Sequence, residues 1–329
     1  MKTSSPSIVP GLILAAIVAA AALYAGELVP VLGGAPAALL LGLAARAAAG
    51  PSQAIAPGAT WASKRLLQSA IVLLGAGLSL TQLWQLGAYT LGLIVAVVFI
   101  SLAAIGWVGK RMGLPPALSA LIAVGTSICG ASAIAAASPV VRAKQDETAY
   151  AVSTIFTFNL IALVVYPALG QALDLPTVTY AVWTGTAVHD TASAVAAGYA
   201  YSDEAGLLAT VVKLARTTLL IPVLFVLAAV FARGGEGRGE SPWRRFPWFI
   251  AAFAGVALLA TAGLIPDDLA IWLPRAAKVM LVVALAGVGL ASDPSRLRSA
   301  GYKPLALGLV ASVLVSALSL ALALRIPSS

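Results

Sequence analysis

Apolar runs of about twenty residues, the length a membrane-spanning helix needs, follow one another along almost the whole chain. Eleven such segments stand out: 8–26, 31–49, 64–80, 86–108, 115–141, 149–170, 176–200, 204–232, 247–264, 268–290 and 302–324. The polar breaks between them are short, and the longest, Arg233 to Arg245, is loop-sized rather than domain-sized. The pattern predicts an all-α polytopic membrane protein with about 10–11 transmembrane helices, organised as a single domain over 1–329. The start, Lys2 followed by an apolar run from Ile8 to Tyr24, has the shape of a signal peptide. With so many spans after it, it reads as a retained first helix.

Composition agrees. Of 329 residues, 60% are hydrophobic and only 10% charged, where a soluble domain carries about 25%. A net charge of +8 would suggest nucleic acid in a soluble chain. Here the basic residues sit in short loops, where they set orientation. With the N-terminus cytoplasmic, thirteen of the 20 Lys and Arg residues fall inside, among them Arg46, Lys64, Arg65, Lys110, Arg111, Arg296, Arg298 and Lys303. Arg142, Lys144 and Arg325 fall outside, which predicts a bacterial inner-membrane protein with its C-terminus outside. Trp61, Trp107, Trp243 and Trp248 suit an interfacial belt, and Arg275 and Lys278 are placed to snorkel to the outer interface.

Two internal echoes suggest an inverted repeat of halves near 31–170 and 176–325, a construction common in secondary transporters. AIVLLGAGLSL at 70–80 resembles VVALAGVGLAS at 282–292, and GTSICGASAIAA at 125–136 resembles GTAVHDTASAVAA at 185–197. The second echo carries a conflict. If both segments span the membrane, they run the same way, which inversion forbids. As re-entrant hairpins from opposite sides they would be inverted, and Arg142 and Lys144 would move inside. The pattern leaves both arrangements open.

These two segments also hold most of the chemistry. Gly125-Thr-Ser-Ile-Cys-Gly130 interrupts an apolar helix. Glycines allow non-helical backbone there, and hydroxyls can satisfy the groups it frees. Gly125, Thr126, Ser127, Cys129, Gly130 and Ser132 are thus candidates to cradle a small anion, against the plainer reading of a small-residue helix contact. His189, the only histidine, and Asp190 lie deep in an apolar segment, where ionisable groups are functional candidates. They could relay protons, or be a structural pair. Lys213 and Arg216, three apart, share one helix face. Asp190 could neutralise one, leaving the other to hold an anion with donors suited to oxyanions; a closed internal ion-pair network is the alternative. Asn159, Gln68 and Thr191 are possible cavity-lining groups.

Several activities lose ground. No GxxxxGK[ST] loop indicates ATP energisation, and no Cys/His cluster has metal-ligand spacing. The lone Cys129 forms no intramolecular disulfide. A hydrolase with Ser127 or Cys129 as nucleophile and His189 as base lacks a GxSxG elbow and has no use for two buried cations. No enzyme activity and no cofactor is expected.

The stretch GTSICGASAIAAASPVVRAKQDETAYAVSTIF, with VHDTASAVAAG at 188–198, ATVVKLARTTLLIPV at 209–223 and ASKRLLQSAIVLLGAGLSL at 62–80, resembles the YeiH-like sulfate exporter family. The likeness covers nearly the whole chain. That family is distantly similar to bile-acid/sodium symporters, whose fold pairs a panel domain with a core domain of two crossing broken helices. The resemblance implies functional positions at Gly125 to Ser132, His189, Asp190, Lys213 and Arg216. Ser193 and Asn159 depart from the pattern. The expectation is a secondary transporter, an exporter of a small sulfur oxyanion, with proton or sodium as coupling ion. Its partners would be the anionic substrate, membrane lipid and, in a homodimer, a second copy. A sodium-coupled organic-anion symporter and a cation/proton antiporter are the alternatives.

Overall fold

A backbone amide in lipid has nothing to bond except its own chain, so helices are the economical solution. The computed structural model describes residues 7–28, 34–50, 52–77, 80–231, 248–292 and 302–326, and among these every regular element is helical. Among the described residues, six helices are long and apolar enough to cross a membrane: Val9–Gly26, Tyr89–Arg111, Gln145–Ala172, Asp203–Phe231, Asp268–Ala291 and Tyr302–Ala323. The all-α polytopic architecture is therefore as the sequence predicts.

The chain forms two compact units, one comprising Met1–Gln85, Tyr199–Asp203 and Trp248–Pro294, the other Leu86–Gly198, Glu204–Pro247 and Ser295–Ser329. Each draws on both sequence halves.

The first unit holds α1 (Val9–Leu28), α2 (Gly34–Ala49), α3 (Ala56–Trp61), α4 (Leu67–Leu74), α13 (Trp248–Thr261) and α14 (Asp267–Ala291). A π-helical turn, Ala62–Leu66, joins α3 to α4. The span expected at 64–80 thus begins earlier, near Ala56. Helix α14 packs against α1, α2, α4 and the π-turn. Here the first echo finds a physical meaning. Gly75 and its counterpart Gly287 both press against a neighbouring helix: a Cβ on Gly75 would meet the Phe253 carbonyl oxygen at 2.7 Å, and one on Gly287 would meet the Ala62 Cβ at 2.6 Å. Lys278 is partly exposed and pairs with Asp203 at 2.6 Å. The Arg275 guanidinium lies over the exposed Trp272 ring, as an interfacial cation does. Trp61 and Trp248 are exposed, as is Trp107 in the second unit, and Trp243 lies outside the described residues.

The second unit holds most of α5 (Leu80–Arg111, kinked at Gly87), then α6 (Pro116–Ser127), α7 (Ala131–Ala137) and α8 (Gln145–Ala172). It continues with α9 (Thr177–Ala187), most of α10 (Thr191–Tyr201) and of α11 (Asp203–Thr218), α12 (Leu220–Phe231) and α15 (Tyr302–Ala323). The segments expected as spans at 115–141 and 176–200 do not cross. Each turns back on itself. The Tyr180 hydroxyl on α9 donates to the Ala197 carbonyl on α10 at 2.9 Å, yet seventeen residues of straight helix would separate them by about 25 Å. On α6, the Ile134 side chain of α7 lies within 2.8 Å of where a Cβ on Gly125 would be. Both are re-entrant helical hairpins.

Since α8 crosses between them, the hairpins enter from opposite faces. Arg142 and Lys144 consequently lie on the same face as Lys110 and Arg111, not opposite it. Crossing broken helices, the geometry implied by the family resemblance, are not what these two segments form. Tyr180→Phe, which removes one interhelical hydrogen bond, is expected to cost about 1 kcal/mol, read as a drop of a few degrees in Tm.

Candidate functional site

Why each hairpin turns where it does can be read locally. Helix α6 starts on Pro115–Pro116, with Pro at its first position, and α9 follows Pro176. At the first tip Ile128 leaves the helical region (φ −124°, ψ −89°) and Gly130 takes φ 64°, ψ −132°, a conformation only glycine adopts readily. At the second tip Val188 is extended (φ −67°, ψ 133°). Asp190 then opens α10, its Oδ2 accepting from the Ser193 amide at 3.2 Å and hydroxyl at 3.4 Å, as an N-cap carboxylate does.

A helix that stops inside the membrane leaves carbonyls without partners and places a negative dipole end there. Here α6 and α9 both stop, and their orphan carbonyls converge on one face of α11. Lys213 and Arg216 are both fully buried on that face. The Lys213 ammonium donates to the carbonyls of Ile128 (3.1 Å), Val188 (2.5 Å) and His189 (2.6 Å). The Arg216 guanidinium donates to the carbonyls of Ser127 (2.7 Å) and Val188 (3.3 Å), and to those of Thr126 and Thr186 in short bonds. Seven hydrogen bonds from two side chains tie both tips to α11.

The expectation that Asp190 neutralises one cation and leaves the other for a substrate does not describe this geometry. Both cations spend their donors on main-chain carbonyls, and Asp190 turns to its own helix.

The tips meet at mid-depth. Arg216 is near the middle of Asp203–Phe231, Asn159 of Gln145–Ala172 and Ser312 of Tyr302–Ala323. Asn159, buried, accepts the Asp190 amide on its Oδ1 at 3.1 Å. Ser312 contacts His189 Nε2 at 2.8 Å and donates its one proton to the Gly308 carbonyl at 2.7 Å. The tips also touch each other: a Cβ on Gly130 would sit 3.3 Å from the Asp190 Cβ.

Around this junction several buried hydroxyls have no protein partner: Thr126 and Ser127 on α6, Thr154 on α8, Thr184 and Thr186 on α9. Cys129 is buried, Asp190 and Thr191 are half-buried, and Ser132 is exposed. The junction thus has an open side at Ser132. Gln68 lies on α4 in the first unit and is not among the residues gathered here.

Some contributors escape sequence reasoning. Trp183, almost fully buried, stacks on Tyr166 with centroids 4.5 Å apart and donates to the Ser316 carbonyl at 3.0 Å, fastening the second hairpin to α8 and α15. Ser312 shares its helix with Ser316 and Ser319, and Thr154 shares its helix with Ser153 and Thr157, so residue type alone does not single either out.

A family model described as "Conserved hypothetical protein 698" matches residues 10–308. A UPF0324 membrane protein of Clostridium tetani is 33% identical over 329 residues, covering 94% of each chain. One from Geobacter sulfurreducens is 42% identical over 269 residues, covering 81% of this chain and 84% of the relative. One from Streptococcus pyogenes serotype M6 is 35% identical over 328 residues, covering 96% and 97%. No solved structure matches the chain.

Proposed function

We propose that this chain, which belongs to the family of UPF0324 membrane proteins, is a secondary transporter that exports a small sulfur oxyanion. Opposed hairpins meeting at mid-depth suit such a role, because irregular backbone inside a membrane is tolerated where it lines a cavity. One observation carries the anion: at the junction two basic side chains face one acid, amid hydroxyls that lack partners. An oxyanion supplies both the missing negative charge and the missing acceptors. Exposed Ser132 and half-buried Thr191 flank the tips, with Gly130, Asn159, Thr126 and Ser127 buried. The sulfur oxyanion itself, whether sulfate, sulfite or a sulfonate, rests on the resemblance to the YeiH-like exporters. Buried His189 and half-buried Asp190 are the groups that would carry a coupled proton.

The hairpins support a cytoplasmic N-terminus. Removing two non-crossing segments from eleven leaves an odd number, so the termini stay on opposite sides. Moving Arg142 and Lys144 to the side of Lys110 and Arg111 strengthens the inside bias of basic residues that the sequence pattern carries. The N-terminus is cytoplasmic and the membrane is the bacterial inner membrane.

The experiment is flux in proteoliposomes loaded with labelled sulfate, sulfite, taurine or glycocholate, with pH and sodium gradients imposed separately. Saturable flux of at least one sulfur oxyanion, driven by the pH gradient, is the expected result. Flux of none of them overturns the proposal, and sodium-driven glycocholate flux would point to an organic-anion symporter instead.

A further inference from the structure

Three carbonyls from two interrupted helices converging on one buried positive charge is an arrangement with a general meaning. Half-helix C-termini and unwound carbonyls inside a membrane are where transporters hold a coupling cation. In this chain the position is filled from within: the Lys213 ammonium stands against the carbonyls of Ile128, Val188 and His189 at 3.1, 2.5 and 2.6 Å. An ammonium has three N–H donors, and each has one acceptor here, so the cage is complete without water or a mobile ion. Lys213 arrives on α11 while its acceptors belong to the two hairpin tips, so the charge is tethered and cannot leave during a working cycle.

We infer that the carbonyls of Ile128, Val188 and His189 form a monovalent-cation site whose resident cation is the Lys213 ammonium, and that the protein holds its hairpin tips together without a dissociable sodium or potassium ion. The cage itself does not depend on the transport reading. If that reading also holds, flux needs no sodium.

The site becomes visible when the tether is cut. Lys213→Ala leaves the carbonyls facing a void large enough for a small cation, whereas Lys213→Met keeps the void filled with an uncharged stem. Purified wild type, K213A and K213M are followed by thermal unfolding in ammonium, potassium, sodium or choline chloride at one ionic strength. Wild type is expected to unfold at the same temperature in all four salts. K213A unfolds lower in choline, and ammonium or potassium raises its Tm by about 3 °C or more, saturably, as a ligand of the folded state does. K213M stays low in every salt. A K213A protein indifferent to the cation overturns the inference, and so does a saturable sodium response of wild type. Should K213A not survive extraction in choline, folded monodisperse yield becomes the readout. A several-fold gain on extraction in ammonium chloride supports the site, and equal aggregation in all four salts refutes it. The readouts are thermal and biochemical, so an absence of sulfur-oxyanion flux would leave this result standing.

Discussion

Arg216→Gln is expected to leave little folded protein. The guanidinium makes four hydrogen bonds to carbonyls of both hairpin tips from a position with no solvent contact. A glutamine amide has two N–H donors on a shorter stem and cannot span Thr126, Ser127, Thr186 and Val188 together. Each carbonyl left without a donor costs about 1–3 kcal/mol, and lipid offers no water to replace the bond. Three such losses are comparable with the whole net stability of a typical domain, about 5–15 kcal/mol. Monodisperse yield on size exclusion should fall by about tenfold or more, since each 1.4 kcal/mol is a factor of ten. Arg216→Lys keeps the charge but offers a point donor instead of a planar fork. It should restore part of the yield and little of the flux. The readout separates two roles for this arginine. A residue that mainly grips substrate would give, as R216Q, a folded protein that does not bind; a residue that ties the tips gives a protein that does not assemble. Wild-type yield and Tm in R216Q would remove the tie.

How much of this was readable from the residues divides along physical lines. Apolar runs mark helices because lipid imposes them, so the membrane architecture follows directly. Gly130 sits where a helix breaks, while Gly125 and Gly185 lie two residues before the ends of α6 and α9. They carry no information on which way the chain then goes. That direction is set by a few tip dihedrals and by long-range contacts such as Tyr180 to Ala197, and neither has a sequence signature. Charge did contain the answer: Arg142 and Lys144 sit on the wrong side of an eleven-span topology and on the right side once the segments become hairpins. Lys213 and Arg216 were recognisable as buried cations because nothing else explains two charges in an apolar run. Their partners were not, because every non-proline residue has the same carbonyl, and acceptors of that kind cannot be told apart by residue type.

The second echo gains substance in the same way. Placing Glu147 of α8 over Glu204 of α11 brings Asn159 over Arg216 without a gap. Both are mid-span polar residues holding a hairpin tip. Asn159 takes the Asp190 amide, and Arg216 takes the carbonyls of both tips. One helix thus offers an acceptor to the amide that begins α10, and the other offers donors to the carbonyls that end α6 and α9. The hairpin tips are held at complementary ends by two helices in corresponding places, which is the division of labour that an inverted pair of repeats would produce.

Gly130→Ala is expected to preserve the fold and suppress function. At φ 64° and ψ −132° a side chain meets its own backbone, a cost of about 1–3 kcal/mol. The added methyl would also lie 3.3 Å from the Asp190 Cβ, a contact tight enough to push the tips apart by a few tenths of an ångström. Unlike R216Q, the change leaves every tie to α11 chemically intact, so assembly should survive with a Tm lower by several degrees, at about 2–4 °C per kcal/mol. Function should suffer more. The strain falls on the residue between Cys129 and the open side at Ser132, beside the Asp190 cap and the Asn159 bond that set the second tip. An error of a fraction of an ångström in a binding constellation is costly, and flux in proteoliposomes should drop by about tenfold or more. The pairing of a small thermal loss with a large functional one is what distinguishes a site from a packing contact at this position. A small-residue contact would lose stability and flux in proportion, and a G130A protein with wild-type flux would show that the two tips need not meet at this separation for a substrate to cross.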